Sequence, residues 1–132
     1  MKVKVLYDHC HTPYLARLNL LTLFGWRLKL HIFIRSDMDE ELHDHPWDFW
    51  SWVIAGEYGE LTPEGLTLRK TWSLVFRRAT WKHRVLLGTN GNGKPSPCAT
   101  LILMKPVSRE WGFWKDNQFI PWREFHSSRK CE

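Results

Sequence analysis

The chain reads as an all-β barrel or sandwich with a single helix near its N-terminus. Three observations predict this class. From Trp26 onward apolar and polar residues alternate in short runs, and a period of two marks a strand with two unlike faces. Turn residues separate the runs at close intervals, as in Pro63-Glu64-Gly65, which is the punctuation of all-β folds. Only one stretch, between Thr12 and Gly25, carries helical spacing. A length of 132 residues suits one domain. Its expected parts are a strand and helix over 1–25, a barrel over about 26–125, and a polar tail over 126–132.

Residues 1–7 alternate well enough for a short strand. Thr12-Pro13 then looks like an N-cap followed by proline at the first helical position. Leu15, Leu18 and Leu21 form a stripe at helical spacing and Gly25 supplies a stop. Next, Trp26, Leu28, Leu30, Ile32 and Ile34 alternate with Arg27, Lys29, His31 and Arg35, a strand whose polar phase meets a pocket or solvent. Further strands are expected over 42–45, 49–55, 57–62, 66–70, 74–76, 82–87 and 99–104. The Gly-, Asn- and Pro-rich stretch 88–97 reads as a loop. The aromatic stretch 111–125 is expected to pack back across the barrel. Glu57 and Glu60 read as parts of a solvated hairpin.

Nine tryptophans and seven phenylalanines stand out. Such side chains bury large areas, so a small barrel can draw its core from few of them, or line a pocket with flat rings. The net charge is +5, but the basic residues are scattered and the densest runs, Arg77-Arg78 and Arg129-Lys130, are short. With no basic helical stripe and no reader motif, the pattern speaks against nucleic acid as a partner. Cys10, Cys98 and Cys131 are odd in number and widely spaced. They make neither a disulfide framework nor a cysteine zinc knuckle, and the expectation is three free thiols in a reducing cytoplasm. No signal-like or membrane-spanning apolar stretch occurs, so no membrane association and a cytoplasmic location are expected.

The sharpest chemical signal is His43-Asp44-His45. On a strand both imidazoles would point to one side, roughly 7 Å apart at their Cα atoms, and could converge on one ion. Imidazole nitrogen suits zinc, iron, nickel or copper, with the second ring nitrogen fixed by an outer partner. Two surface histidines would give the same tripeptide, so the surrounding residues decide.

Those residues, His43-Asp44-His45-Pro46-Trp47-Asp48-Phe49 through Gly56, resemble the first signature of the cupin superfamily. There an HxH pair precedes a carboxylate and then a glycine turn. The second signature supplies one more histidine on a later strand, matched by His83. The chain is also similar to small bacterial and phage cupins that carry HDHPWDF, a GxYxE stretch (Gly56 to Glu60) and a late WGF (Trp111-Gly112-Phe113). The resemblance spans about 26–125. It implies a double-stranded β-helix, or jelly-roll barrel, holding one divalent ion (Fe, Mn, Ni or Zn). The implied ligands are His43, His45, Asp48 and His83. Trp47, Phe49, Trp81 and His31 would form the pocket wall.

Two departures stand in the motifs. The signature carboxylate belongs at Phe49 or Trp50, and Asp48 comes one residue early. In an unbroken strand it would face away from His45, although a bulge at Pro46 would restore the phase. In the second signature Arg78 and Thr80 replace the usual proline and glycine. The implied function is a metal-dependent enzyme, of oxygenase or isomerase type, acting on a small molecule. A metal-free epimerase using histidines as acid and base, or a module that binds a sugar or nucleotide without turnover, is the alternative. Cupins host many activities, so the fold does not choose. A homodimer is the further partner the resemblance implies.

Overall fold

The structure, a computed structural model, describes residues 3–7, 10–37, 41–89 and 91–128. Its first three strands are β1 (Val3–Tyr7), β2 (Pro13–Leu23) and β3 (Trp26–Phe33). The helix expected over 12–25 is therefore a strand, bonded to β1 on one side and β3 on the other. A register shift between Asn19 and Leu21 explains the misreading. One extra residue slips the period-two phase and puts Leu18 and Leu21 on the outward face, while Leu15 is buried on the inward one, so the spacing of the three only mimics a helical stripe. Gly25 ends no helix. With φ of 50° at Phe24 and 83° at Gly25, the pair forms a two-residue hairpin loop of the kind that needs two left-handed residues. The single helix among the described residues, α1 (Trp122–Ser128), lies near the other end of the chain.

The remaining strands are β4 (Leu42–His43), β5 (Phe49–Ala55), β6 (Tyr58–Thr62), β7 (Gly65–Arg69), β8 (Leu74–Arg77), β9 (Arg84–Leu86), β10 (Cys98–Met104), β11 (Gly112–Lys115) and β12 (Gln118–Pro121). One six-stranded sheet runs in the order β1-β2-β3-β10-β5-β8. Two three-stranded ribbons, β12-β11-β4 and β7-β6-β9, complete the molecule. An antiparallel bridge between His43 and His83 links these ribbons at their edges. The ribbons so joined form a second layer opposite the six-stranded sheet, the two-layer plan of a jelly roll.

Between the layers lie two apolar clusters. Val53, Tyr58, Val85 and Cys98 pack with Phe33 and Leu87, while Phe49, Ile102 and Met104 pack with Trp47. On β3 the alternation is inverted relative to ordinary expectation. Lys29 and His31 are only 7% and 8% exposed, whereas Trp26 and Ile32 are 37% and 38% exposed. The polar phase of β3 faces the barrel interior and its apolar phase faces out.

The thiols also depart from expectation. Cys98 is free and buried, and burial, aided by the Glu57 charge, pushes its thiol up to about 11. Cys10 is held in a disulfide, so the three cysteines are not all free. An odd total does not prevent one bridge, and wide spacing in sequence says little about proximity in space. Cys131 lies outside the described residues. Among the described residues no helix is long and apolar enough to cross a membrane.

Candidate metal centre

His43 closes β4, His45 follows two residues later, and His83 immediately precedes β9. Backbone bonds fix their approach before any side chain is considered. His43 and His83 each donate their N–H to the other's carbonyl at 2.9 Å, and His45 N–H donates to the Ala79 carbonyl at 3.0 Å. The ring centroids then stand 5.3 Å apart for His43 and His45, 4.8 Å for His43 and His83, and 4.9 Å for His45 and His83. One ligand nitrogen from each lies within 4.8 Å of the others.

Each ring has an acceptor near its Nδ1. That of His83 is 2.7 Å from Glu60 Oε2, and that of His45 is 3.2 Å from the Trp81 carbonyl. That of His43 is 3.6 Å from Asp37 Oδ2. A carbonyl or carboxylate beside Nδ1 favours a proton there and leaves the Nε2 lone pair free. Burial lowers His43 to about 4, countered in part by Asp37 and deepened by His83. Burial, with the neighbouring His83 and His43, holds His45 well below its ordinary value. Both imidazoles are therefore neutral near pH 7, the form a metal needs.

Glu60 is the organising carboxylate, although it reads in the sequence as a solvated hairpin residue. It is 1% exposed. Besides His83 it accepts from Trp81 Nε1 at 3.1 Å and Arg69 Nε at 3.0 Å, and from Arg77 Nη2 at 3.2 Å. Burial alone would raise its carboxyl. The hydrogen bond and charge of His83, with Trp81 and Arg77, instead hold it well below the usual carboxylate range. Asp44 is equally buried. It accepts from Gly112 N–H at 2.8 Å and Trp114 Nε1 at 3.0 Å, and pairs with Arg109 Nη1 at 2.8 Å.

Asp48 is not in the histidine cluster. Its Oδ1 accepts from Ala79 N–H at 2.7 Å, which braces the turn whose carbonyl holds His45. Of the expected wall residues, Trp47 and Phe49 flank His45, with ring centroids 5.4 and 4.6 Å away. Trp81 acts through its carbonyl and its Nε1, while its ring lies under the Arg77 guanidinium at 4.1 Å. His31 is buried within the barrel, and its Nε2 has no hydrogen-bond partner. A cavity of about 510 Å³ opens onto His43 and His45, with Trp47, Trp111, Arg17 and Arg27 among its lining. A second cavity, about 560 Å³, lies beside Arg77, Arg78 and Trp81 and touches none of the three histidines.

No protein-family model matches the chain, and no curated protein matches it. Solved structures do. A cupin 2 conserved barrel protein from Rhodopseudomonas palustris superposes with a TM-score of 0.63 at 13% identity, over 88% of this chain and 79% of that one. The chain has the cupin fold. This cupin barrel also superposes on a provisionally assigned mannose-6-phosphate isomerase from Ralstonia eutropha JMP134, with a TM-score of 0.60 and 19% identity over 70% of this chain and 85% of that one. The Fe(II) form of HppE gives a TM-score of 0.58 at 13% identity, over 78% of this chain and 56% of that one. At these identities the likeness concerns the fold.

Sequence reasoning missed Glu60, Asp44, Asp37 and Arg109. The GxYxE stretch contained Glu60, and the WGF stretch contained the Gly112 that bonds Asp44. Those motifs were the available signal.

Proposed function

We propose that the cupin barrel is a metal-dependent enzyme whose ion is held by His43, His45 and His83 and whose substrate is a small molecule in the adjoining cavity. One observation carries this reading: each of the three rings has an acceptor near Nδ1, which leaves Nε2 for a common centre. Surface histidines have no reason to be individually oriented in this way. The donor set fits a divalent transition metal, since imidazole nitrogen is a favoured ligand of such ions. HppE, a fold neighbour at low identity, has a structure described as its Fe(II) form, which accords with the reading.

When bound, such an ion polarises a substrate oxygen as a Lewis acid, or supports oxygen chemistry if it is redox-active. The protein's own contribution is positional. Glu60 holds the His83 ring, and the Trp81 carbonyl holds that of His45. Trp47 and Trp111 wall the cavity beside the histidines and keep water from the reacting face. Asp48 supports the Ala79 turn and is not a ligand in this reading.

Elemental analysis of protein purified without a histidine tag tests the proposal, beside His43→Ala, His83→Ala and Asp48→Asn. The expected result is about one equivalent of iron, manganese, nickel or zinc, lost in both histidine variants and kept in Asp48→Asn. Absence of metal after reconstitution would overturn the reading in favour of a metal-free epimerase or a binding module.

A further inference from the structure

The wall beside the histidines carries positive charge that the protein leaves unmatched. Arg27, Lys29 and His31 alternate along β3 and so share its inward face. Arg17 on β2 pairs with His31 across the ladder. Arg17 and Arg27 line the same cavity as His43 and His45. Lys29 lies between them on the sheet and is 93% buried, the complement of its 7% exposure. Burial, then the charges of Arg17, Arg27 and Lys4, pull its amine down to about 8, so these groups feel one another.

The ion pairs made by Asp37, Glu60 and Asp44 involve none of Arg17, Arg27 and Lys29. Arg109, the other guanidinium in the cavity, is already matched by Asp44. Glu110 also borders the cavity but is exposed. Gathering cations in a partly dry space without a counter-charge is costly, and apolar residues would fill the same volume more cheaply. The arrangement becomes favourable when an anion enters, because charge-assisted bonds from guanidinium to an oxyanion are strong and bidentate.

We propose that this cavity takes an oxyanion group of the substrate, a carboxylate or a phosphate, against Arg17 and Arg27, with the buried Lys29 adding its charge from the sheet behind them. The proposal deepens the function given above by naming its substrate class, and rests on that reading for the role of the histidines. Anion capture itself needs no ion. Substrates of this class would present the charged end to the arginines and a reactive oxygen to the histidines.

Isothermal titration of the metal-free full chain with succinate and, separately, inorganic phosphate tests it, with sodium chloride as the ionic-strength control. Wild type is expected to bind at least one oxyanion. Succinate alone would assign a carboxylate, and phosphate alone a phosphate ester. Arg17→Gln and Arg27→Gln should each weaken binding about tenfold or more, with Arg27→Lys retaining more affinity than Arg27→Gln. Lys29→Met guards against misfolding, since it removes a buried charge. It should fold at least as well as wild type and still bind the anion more weakly. Because the titration is run on metal-free protein and metal content is assayed separately, failure of anion capture and failure of the metal reading are distinguishable. Wild type that binds neither oxyanion, or natively folded arginine and lysine variants that bind as wild type does, would overturn the proposal.

Discussion

Glu60 shows how much one residue can hold. Its two oxygens restrain His83, Trp81, Arg69 and Arg77, which come from β7, β8 and the approach to β9. Glu60→Gln keeps the shape but leaves two arginines facing a neutral amide. Removing one partner of a buried ion pair costs about 3–5 kcal/mol, and losing an outer partner of a ligating histidine weakens metal affinity about 10–100-fold. Urea unfolding and a metal titration on the same variant should show both effects. His31 and Lys29 define the response to pH. Burial, reinforced by Arg17 and Lys29, lowers His31 to about 3, so between its ordinary 6.5 and 3 the unfolded chain binds a proton that the folded chain refuses. Stability falls as pH drops through that window. Lys29, lowered to about 8, gives up its proton in the fold before it does in the unfolded chain, so its own contribution to stability rises from pH 8 toward 10.5. Thermal melts of the metal-free protein should therefore rise with pH through the lower window and again from about pH 8 to 9, above which the raised Cys98 thiol opposes the gain, and Lys29→Met should abolish the upper rise. The candidate histidines were legible because HxH and a later histidine are local patterns. Glu60 was not, because its burial comes from β6 lying between β7 and β9, a pairing no short stretch reveals.

At the scale of elements, Gly112 is the point where the ribbon carrying His43 is locked. It pairs with Pro121 at the start of β11, its N–H bonds Asp44, and a Cβ there would run into the backbone of Ile120. Gly112→Ala must push β12 away or tilt β11, and overpacking of this kind costs about 1–3 kcal/mol. Because β11 carries β4 at Phe113 and His43, the variant should lose thermal stability and metal together, as a melting curve and a metal assay would report. Strands such as β3 were legible because their alternation is unbroken. The strand β2 was hidden by its bulge, and the turn at Asp116-Asn117, with φ of 52° and 62°, carries no glycine to announce it. The inward phase of β3 escaped sequence reading because alternation tells that two faces differ, not which is inside.

For the whole molecule the inversion of β3 has an outer counterpart. Trp26, Ile32, Trp52, Leu74, Phe76 and Leu103 on the six-stranded sheet are each at least 36% exposed. The outward positions paired across β1, β2, β3, β10, β5 and β8 carry no charge. Six strands about 4.8 Å apart and about 17 Å long give a face on the order of 500 Å² per copy. Two such faces stacked bury on the order of 1,000 Å², near the lower bound for a stable interface. We propose that this uncharged face pairs with a second copy of the chain. Sedimentation velocity should show a concentration-dependent dimer, and Trp52→Glu or Leu103→Glu should return monomers that still bind anions. The expectation of a reducing cytoplasm rested on three free thiols, and the Cys10 disulfide removes that ground.

The unmatched cations beside the histidines also bear on the route by which an ion arrives. A divalent cation bound for His43 or His45 must travel through a cavity lined by Arg17 and Arg27, and like charges oppose it before any nitrogen is reached. Dissolved salt shortens the range of that repulsion, from about 10 Å at 0.1 M to about 3 Å at 1 M. Where that repulsion outweighs the attraction of Asp44 and Glu110 in the same lining, loading should quicken as ionic strength rises. An oxyanion seated on the arginines would lower the same barrier. If both proposals hold, the anion would be the first guest and the metal the second, and while the anion stayed the ion would have less reason to leave.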